Sequence, residues 1–461
     1  MTVEGGTNIM KPSKRSQIIA SLIVNLPLLS CGLSFSWITV SNLDLNTDKG
    51  SWIVTALSIG ACLGPILSAL LLDRIGRKWF LYATTFPFIA SWILIYIGKK
   101  WVEFFVARFI AGISIGAIYT MVPVYLGELT EPRIRGAAGT LMALFLNIGY
   151  ILMFGLGTRL NEKMMALISL APCVAFLLMA PWVPESPYYY LKKKKEKFAI
   201  LALVWLRRKK DNEDEIKEMN EFIKAEEQGS IKELYTVPTH RKALLLVLLL
   251  LAGQQLSGYI AIQAYAITLL QDMHVNISTN LVLLIMGGIA LVMSLVPALI
   301  VDRIGRKPLF LMSSYSTTLC LLTIGVYFLM IKIGMKIQSY SIIPLVAVLA
   351  YLVCASIGLT VIPAVIISEI FPIGLKSWAT MFANVYGSLL GLIVAQVYHL
   401  ISQAWGNHVL FLLFAIIELV ISILATIFMP ETARKSFMDI QKILGKDNNV
   451  AQKADAEKCD K

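Results

Sequence analysis

The polar side chains that could bind a ligand stand out because the chain around them is strongly apolar. The clearest group follows a leucine-rich run and reads QQLSGYIAIQ over residues 254–263. On a continuous helix Gln255, Tyr259 and Gln263 recur every four residues and share one broad face. Uncharged amides and hydroxyls suit a polyhydroxylated ligand and call for no charged one. The alternative is that these groups join helices by hydrogen bonds.

Two further amides stand alone in apolar runs. Asn147 lies in the fifth run and Asn384 in the eleventh. An amide at membrane depth needs a partner or a water-filled cavity. Contact with a ligand and hydrogen bonding between helices account equally well for either residue, so both interpretations stay open.

A second kind of chemistry comes from a charged turn that occurs twice. The hexapeptide DRIGRK at 73–78 returns at 302–307, each time between two apolar runs. Two other pairs follow in the same order, at similar separations: 128–132 with 369–372, and 184–186 with 430–432. Three motifs that repeat in the same order indicate two homologous halves, as in the parallel repeats of large transporters.

Most of these charges lie where apolar helices end, so they could control opening and closing at that side. Opposite charges on neighbouring helices can pair in one conformation and separate in another, which biases a two-state equilibrium. We predict gating roles for Asp73, Arg77, Arg108, Glu128, Arg135, Glu185, Asp302, Arg306 and Glu369. The alternatives are that the turn charges only anchor the topology and that Arg108 extends to the cytoplasmic surface instead of pairing with this network.

The composition is typical of a membrane protein. The 461 residues are 57% hydrophobic and 15% charged, whereas about a quarter of the residues in a soluble domain are charged. The net charge of +12 comes largely from Lys and Arg in short turns and the polar block after the sixth run, so nucleic-acid binding is not expected. With no phosphate-binding loop and no histidine cluster, the sequence predicts neither an enzyme, nor a cofactor, nor a metal site.

Twelve apolar runs are each long enough to cross a bilayer. We predict an all-α membrane protein with a six-helix bundle at 1–183, a cytoplasmic linker with three or four short helices at 184–242, a second six-helix bundle at 243–429 and a cytoplasmic tail at 430–461. The Lys and Arg of the N-terminal arm and the linker place both termini in the cytoplasm. The triplet at 276–278 then makes Asn276 an external candidate for glycosylation.

Together these motifs resemble the sugar porters of the major facilitator superfamily. The resemblance covers nearly the whole chain, including DRIGRK, PVYLGE at 123–128, PESP at 184–187 and QQLSG at 254–258. Within that family, PVYLGE and the FLNIG run at 145–149 are similar to those of arthropod facilitated trehalose transporters. The resemblance implies twelve helices in two pseudo-repeated halves, transport by alternating access, and a central sugar site that includes Gln254 and Gln255.

The chain departs from the family pattern mainly in the sugar pocket. Alanine stands where the family has a glutamine, an asparagine and a tryptophan, at Ala143, Ala290 and Ala364. Each lost hydrogen bond weakens sugar binding by roughly 1 kcal/mol or more. Ser34 stands where proton-coupled members carry an aspartate, which favours facilitated diffusion, while Glu418 in the last apolar run keeps proton coupling open.

We therefore predict a cell-membrane uniporter that carries trehalose or a hexose by alternating access and functions as a monomer. The predicted ligand contacts are Gln254, Gln255 and Asn384, with Asn147 and Gln263 as further candidates. The alternatives are a less polar cargo on the same fold, a proton-coupled sugar symporter, and a sugar sensor that does not transport.

Overall fold

The structure, a computed structural model, describes residues 14–433 except 42, 46, 210–212, 228–230, 276, 336 and 338–339, and also residues 435, 440 and 443. Throughout this described part the secondary structure is helical, and it contains no strand. The candidate glycosylation site Asn276 and most of the tail lie outside the described residues.

The first half contains six long helices, which are α1 Arg15–Val40, α2 Asp48–Ile75, α3 Arg77–Ile97, α4 Trp101–Leu129, α5 Pro132–Gly157 and α6 Glu162–Met179. A short 3₁₀ turn at Ala180–Trp182 ends the sixth. The linker adds four short helices, which are α7 Pro187–Lys192, α8 Glu196–Arg207, α9 Glu213–Glu227 and α10 Glu233–Thr236. Each of the six long helices is apolar and long enough to cross a bilayer.

The second half has the same number of spans, but three of them are interrupted. Its helices are α11 Pro238–Leu256, α12 Tyr259–Ala264, α13 Ala266–Asp272, α14 Thr279–Met293, α15 Val296–Ile304, α16 Arg306–Lys332, α17 Ile342–Cys354, α18 Ile362–Ile370, α19 Ile373–Ala404 and α20 Asn407–Phe428. The described residues give eleven membrane-crossing helices, or twelve when the bent pair α14 and α15 counts as one span.

The interruptions differ from the continuous helices that the apolar runs predict. The seventh span breaks at Gly258, whose φ of +82° is a conformation that favours glycine. The eighth bends by 46° between α14 and α15, and Pro297 in the first turn of α15 has no N–H to continue the helix. In the tenth, a π-helical turn at Ala355–Leu359 separates α17 from α18. Such turns are often found at functional sites.

The two halves repeat each other in backbone detail. Gly76 joins α2 to α3 with φ +101° and ψ 162°, and Gly305 joins α15 to α16 with φ +102° and ψ 162°. Both glycines are required because a side chain would be strained at this positive φ. The repeated DRIGRK letters therefore encode the same turn in each half, as the predicted pseudo-repeat requires.

Candidate functional site

The ligand candidates lie where the interrupted spans meet. Gln254, at the end of α11, donates a hydrogen bond of 3.1 Å from Nε2 to the carbonyl oxygen of Thr360, just beyond the π-helical turn. The neighbouring Gln255 has a buried Oε1 that accepts no hydrogen bond from the described residues. An unpaired buried amide oxygen is costly unless water or a ligand donates to it.

Gln255 packs against α19. An added Cβ on Gly387 would lie 3.7 Å from its Nε2, and one on Gly391 would lie 3.7 Å from its Oε1. Because both of these positions are glycines, α19 offers the amide no side-chain hydrogen bond there. The lone pairs of Oε1 are left for water or a ligand.

Asn384, near Gln255, makes a polar contact between the two halves. Its Nδ2 donates to the hydroxyl of Thr120 on α4 at 3.1 Å. Asn147, by contrast, donates to the carbonyl of Ala143, one turn back in its own helix, at 2.9 Å. The structure therefore brings Asn384 into the region of Gln255 and gives the Asn147 amide group a local partner.

The common helix face predicted for Gln255, Tyr259 and Gln263 is not formed. The break at Gly258 separates Gln255 in α11 from the other two in α12, so four-residue spacing no longer aligns them. All three side chains are nevertheless half-buried. The backbone carbonyl of Gln263 accepts a 2.9 Å hydrogen bond from Thr39 on α1.

An aromatic wall from the first half faces these amides, and the sequence patterns did not reveal it. The ring of Phe35 lies 6.3 Å from Tyr119, edge to face, and 6.1 Å from Tyr150, stacked. Tyr119 and Tyr150 are also close enough to Tyr259 of the other half to interact electrostatically. Pockets for small molecules combine such aromatic walls with a few polar groups. These residues come from α1, α4, α5 and α12, so no local spacing could indicate the wall.

The ends of the halves opposite the DRIGRK turns are joined by hydrogen bonds. Gln396 on α19 donates to the hydroxyl of Thr55 on α2 at 3.0 Å. One helical turn further along α19, Nε2 of His399 lies 3.1 Å from the carboxylate of Asp48, at the start of α2. With the bond from Thr39 to Gln263, these contacts connect the two halves on that side of Asn384 and Gln255.

Four of the predicted gating residues of the first half, Asp73, Arg77, Glu128 and Glu185, form one cluster at the turn between α2 and α3. Arg77 pairs with Glu128 at 2.9 Å and with Asp73 at 2.8 Å. The carboxylate of Glu185 accepts the backbone N–H groups of Arg77 and Lys78 at 2.9 and 3.0 Å. Four elements that are distant in sequence are thus held at one turn.

The second half repeats this cluster. Arg306 pairs with Glu369 at 2.8 Å and with Asp302 at 2.9 Å. Glu431 takes the place of Glu185, because it accepts the backbone N–H groups of Arg306 and Lys307 at 3.0 and 3.1 Å. Glu431 was absent from the predicted gating set, although the echo of 184–186 by 430–432 contained the signal.

The two clusters lie within the halves and do not bridge them. Each arginine binds carboxylates of its own half, so in this conformation the clusters brace helices inside a half. Arg135 is exposed and donates to the carbonyl of Gly127, eight residues back, at 3.1 Å. These ion pairs therefore do not lock one half to the other in this conformation.

Arg108 lies far from the first-half cluster, and the prediction that it joins the cluster or extends to the surface at that end is wrong. It lies in the first third of α4, near Trp101, whereas Glu128 of the cluster lies at the opposite end of the same helix. Its guanidinium donates to the carbonyl and hydroxyl of Ser34 and lies 6.0 Å from the ring of Trp37. The side chain is 2% exposed, so it braces α4 against α1.

Glu185 and Glu431, which have equivalent positions in the two halves, differ in electrostatic surroundings. Burial raises the pKa of Glu185, even though three backbone N–H groups lower it. Burial also raises the pKa of Glu431, but the backbone N–H groups of Ala433, Arg306 and Lys307 outweigh it and leave the pKa below its usual value. The first-half cluster is therefore the drier of the two.

A family profile described as "Sugar (and other) transporter" matches residues 28–444, which is most of the chain. The chain belongs to this family. The Anopheles gambiae "Facilitated trehalose transporter Tret1" is 30% identical over 446 residues, covering 94% of this chain and 56% of the relative. The Culex quinquefasciatus protein of the same name is 29% identical, covering 93% of this chain and 85% of the relative. The chain spans just over half the length of the Anopheles gambiae and Aedes aegypti relatives.

Solved structures show the fold of this family member. The inward open conformation of the xylose transporter XylE from E. coli superposes with a TM-score of 0.77 at 20% identity, covering 93% of this chain and 99% of that one. XylE bound to 6-bromo-6-deoxy-D-glucose gives a TM-score of 0.76 at 19% identity, covering 93% and 99%. The predicted major facilitator fold of two six-helix halves is confirmed.

Proposed function

We propose that the chain is a facilitative transporter of a sugar, trehalose or a hexose, in the cell membrane, with both termini cytoplasmic. The observation that carries the proposal is the buried Oε1 of Gln255, which has no partner among the described residues and lies beside Gln254, just before the break in the seventh span. Relatives named facilitated trehalose transporters support a sugar, and Ser34 in place of an acidic residue in the first span supports uniport. The protein acts as a monomer, since one chain supplies both halves of the site.

The ligand site opens alternately because each half moves as a rigid unit. The Arg77 and Arg306 clusters hold the cytoplasmic helix ends of each half together. The outer bonds of Gln396 and His399 break when the outer side opens. The cargo then contacts Gln254, Gln255 and Asn384, with Gln263 and Asn147 as further candidates, before the halves close again.

The test is uptake of labelled trehalose and glucose into oocytes that express the chain. A Gln254→Ala/Gln255→Ala double variant is compared at equal surface expression, and Gln271→Ala, at an exposed glutamine near the end of α13, serves as the control of matched chemistry. Saturable uptake that the double variant loses, and that a pH gradient does not drive above equilibrium, supports the proposal. Uptake no greater than in uninjected oocytes would rule out both sugars as the cargo.

A second candidate cargo is a less polar solute. The observation that favours it is the aromatic wall of Phe35, Tyr119 and Tyr150, combined with alanine at positions 143, 290 and 364. A wider and more apolar site should prefer ligands with fewer hydroxyls. A competition profile in which apolar solutes block uptake and sugars do not would select this cargo.

A further inference from the structure

A buried carboxyl group in α20 has no role in the mechanism described so far. Glu418 lies near the middle of the last span and is 0% exposed. One of its oxygens accepts a hydrogen bond from the hydroxyl of Ser314 on α16, while its Oε2 is buried and has no partner among the described residues. Ser422, one turn along, lies 2.6 Å from the same Ser314 hydroxyl.

The groups that surround this carboxyl are uncharged. Glu418 takes part in none of the ion pairs found in the described part of the chain. α16 presents Ser314, α11 presents Gly253, and α17 presents Tyr351, which interacts with it electrostatically. α19 carries the titratable residues Lys376, Tyr386, Tyr398 and His399, and none of them forms an ion pair with Glu418 in the described part of the chain. An ionised carboxylate at the centre of a bilayer is costly without a cation, so these surroundings favour the neutral acid.

Glu418 lies directly behind the ligand candidates. A Cβ on Gly253 would lie 3.5 Å from its unpaired Oε2, so only a glycine of α11 separates the carboxyl from Gln254. Gln254 in turn donates to the carbonyl of Thr360. The carboxyl therefore touches the helix that carries both glutamines, one residue before the first of them.

A second connection runs through α16 to the interrupted tenth span. Ser313, adjacent to Ser314, donates to the carbonyl of Cys354 at 2.6 Å and accepts the backbone N–H of Leu359 at 2.8 Å. These two groups flank the π-helical turn that precedes Thr360. The pair Ser313 and Ser314 thus links Glu418 to the segment that holds Gln254 from the other side.

We infer that Glu418 is a positioning residue of the ligand site, and that its bound proton keeps α11 and the π-helical turn in the geometry that places Gln254 and Gln255. When the proton leaves to water, the carboxylate requires donors and hydration that the site between Gly253 and Ser314 does not provide. The contacts of Glu418 with α11 and with Ser314, next to Gln254, then rearrange. Transport is fast at acidic pH and slows as pH rises, without any need for a pH gradient. The transport readout rests on the proposed function.

The experiment uses the full chain purified into proteoliposomes, with the same pH on both sides, from about pH 5.5 to about pH 9. Initial rates with trehalose and glucose are measured for wild type and Glu418→Gln, which keeps the size of the side chain and cannot ionise. We expect the wild-type rate to fall about tenfold per pH unit above the pKa of the group. The Glu418→Gln rate should stay near the acidic wild-type rate at every pH.

Glu196→Gln is the matched control, because it makes the same substitution at an exposed glutamate of α8, in the linker. It should keep the wild-type slope. A wild-type rate that does not change with pH, or a slope that persists in Glu418→Gln, overturns the inference. A purely structural role for Glu418 would lower the rate equally at every pH and would leave the slope unchanged.

A measurement without substrate separates this inference from the proposed function. The uncharged surroundings favour the proton-bound carboxyl in the native state, whereas water surrounds and ionises it in the unfolded state. A rise in pH therefore favours the unfolded state until the native carboxyl itself ionises. The Tm of wild type should therefore fall relative to that of Glu418→Gln as pH rises. If this difference in Tm widens with pH but neither sugar is taken up, the proposed cargo is wrong and the role of Glu418 stands. Parallel Tm curves overturn the role of Glu418, whatever is transported.

Discussion

Arg77 and Arg306 each connect helix ends that are far apart in sequence. The Arg77 side chain is 3% exposed and its partner Glu128 is 15% exposed, whereas Asp73 is 61% exposed. Solvent screens the exposed pair, so most of the stabilisation comes from the buried one. The repeated charged turn therefore contributes stability to each half through a single arginine–glutamate pair.

Replacing Arg77 should destabilise the first half strongly. Arg77→Ala leaves the carboxylate of Glu128 without its cation, which costs about 3–5 kcal/mol for a buried pair. Arg74→Ala, in the same turn but exposed, is the control and should change stability by less than about 0.5 kcal/mol. Unfolding of the purified variants in detergent measures both. Equal loss in the two variants would contradict the role given to the buried pair.

The two asparagines offer a comparison of identical chemistry at different places. Asn384→Ala removes an amide that faces the other half and, by our proposal, the cargo, so transport should fall about tenfold, equivalent to about 1.4 kcal/mol. Asn147→Ala removes an amide that bonds to its own helix and should change transport less than about threefold. Concentration-dependent uptake distinguishes them. A larger loss of transport in Asn147→Ala than in Asn384→Ala would show that the ligand site lies nearer to α5.

At the scale of helices, the break at Gly258 is the feature that brings the glutamines to the centre. Its φ of +82° disfavours any residue with a Cβ by about 1–2 kcal/mol, and a Cβ there would lie 2.6 Å from the ring of Phe414. Gly258→Ala should therefore lower both transport and Tm. Gly288→Ala on α14, where a Cβ meets no atom within 4 Å, is the control and should behave as wild type. A fully active Gly258→Ala variant would show that the break is not needed.

The long spans could be predicted from the sequence, whereas their interruptions could not. Hydrophobic length determines where a helix crosses the bilayer, and it is a local property. Proline does not identify the breaks, because Pro27, Pro65, Pro87, Pro123 and Pro172 all lie inside continuous helices. Tertiary contacts decide which breaks form, as the bond from Gln254 to Thr360 illustrates.

At the scale of the molecule, internal repetition predicted more than any single motif. The ordered echoes indicated two halves, and the structure gives both halves the same turn and the same charged cluster. The sequence did not show whether those charges pair within a half or between halves, because that depends on how distant helices pack. The misplacement of Arg108 has a simpler origin, since the bounds of the fourth apolar run already put that residue near its start and Glu128 at its end.

The alternating-access proposal requires α2 and α19 to separate when the outer side opens. An added Cβ on Gly391 would lie 3.7 Å from the hydroxyl of Ser58, a spacing that suits a disulfide after a small shift. Ser58→Cys/Gly391→Cys should therefore crosslink under mild oxidation and lose transport, and reduction should restore it. Ser58→Cys, treated in the same way, should stay active. Gly391→Cys places a side chain against Gln255, so its own rate before oxidation is the baseline, and the oxidant should not change that rate. Full transport with the crosslink formed would mean that the halves do not separate here, and the cargo would then have to reach Gln255 by a path that leaves this contact closed.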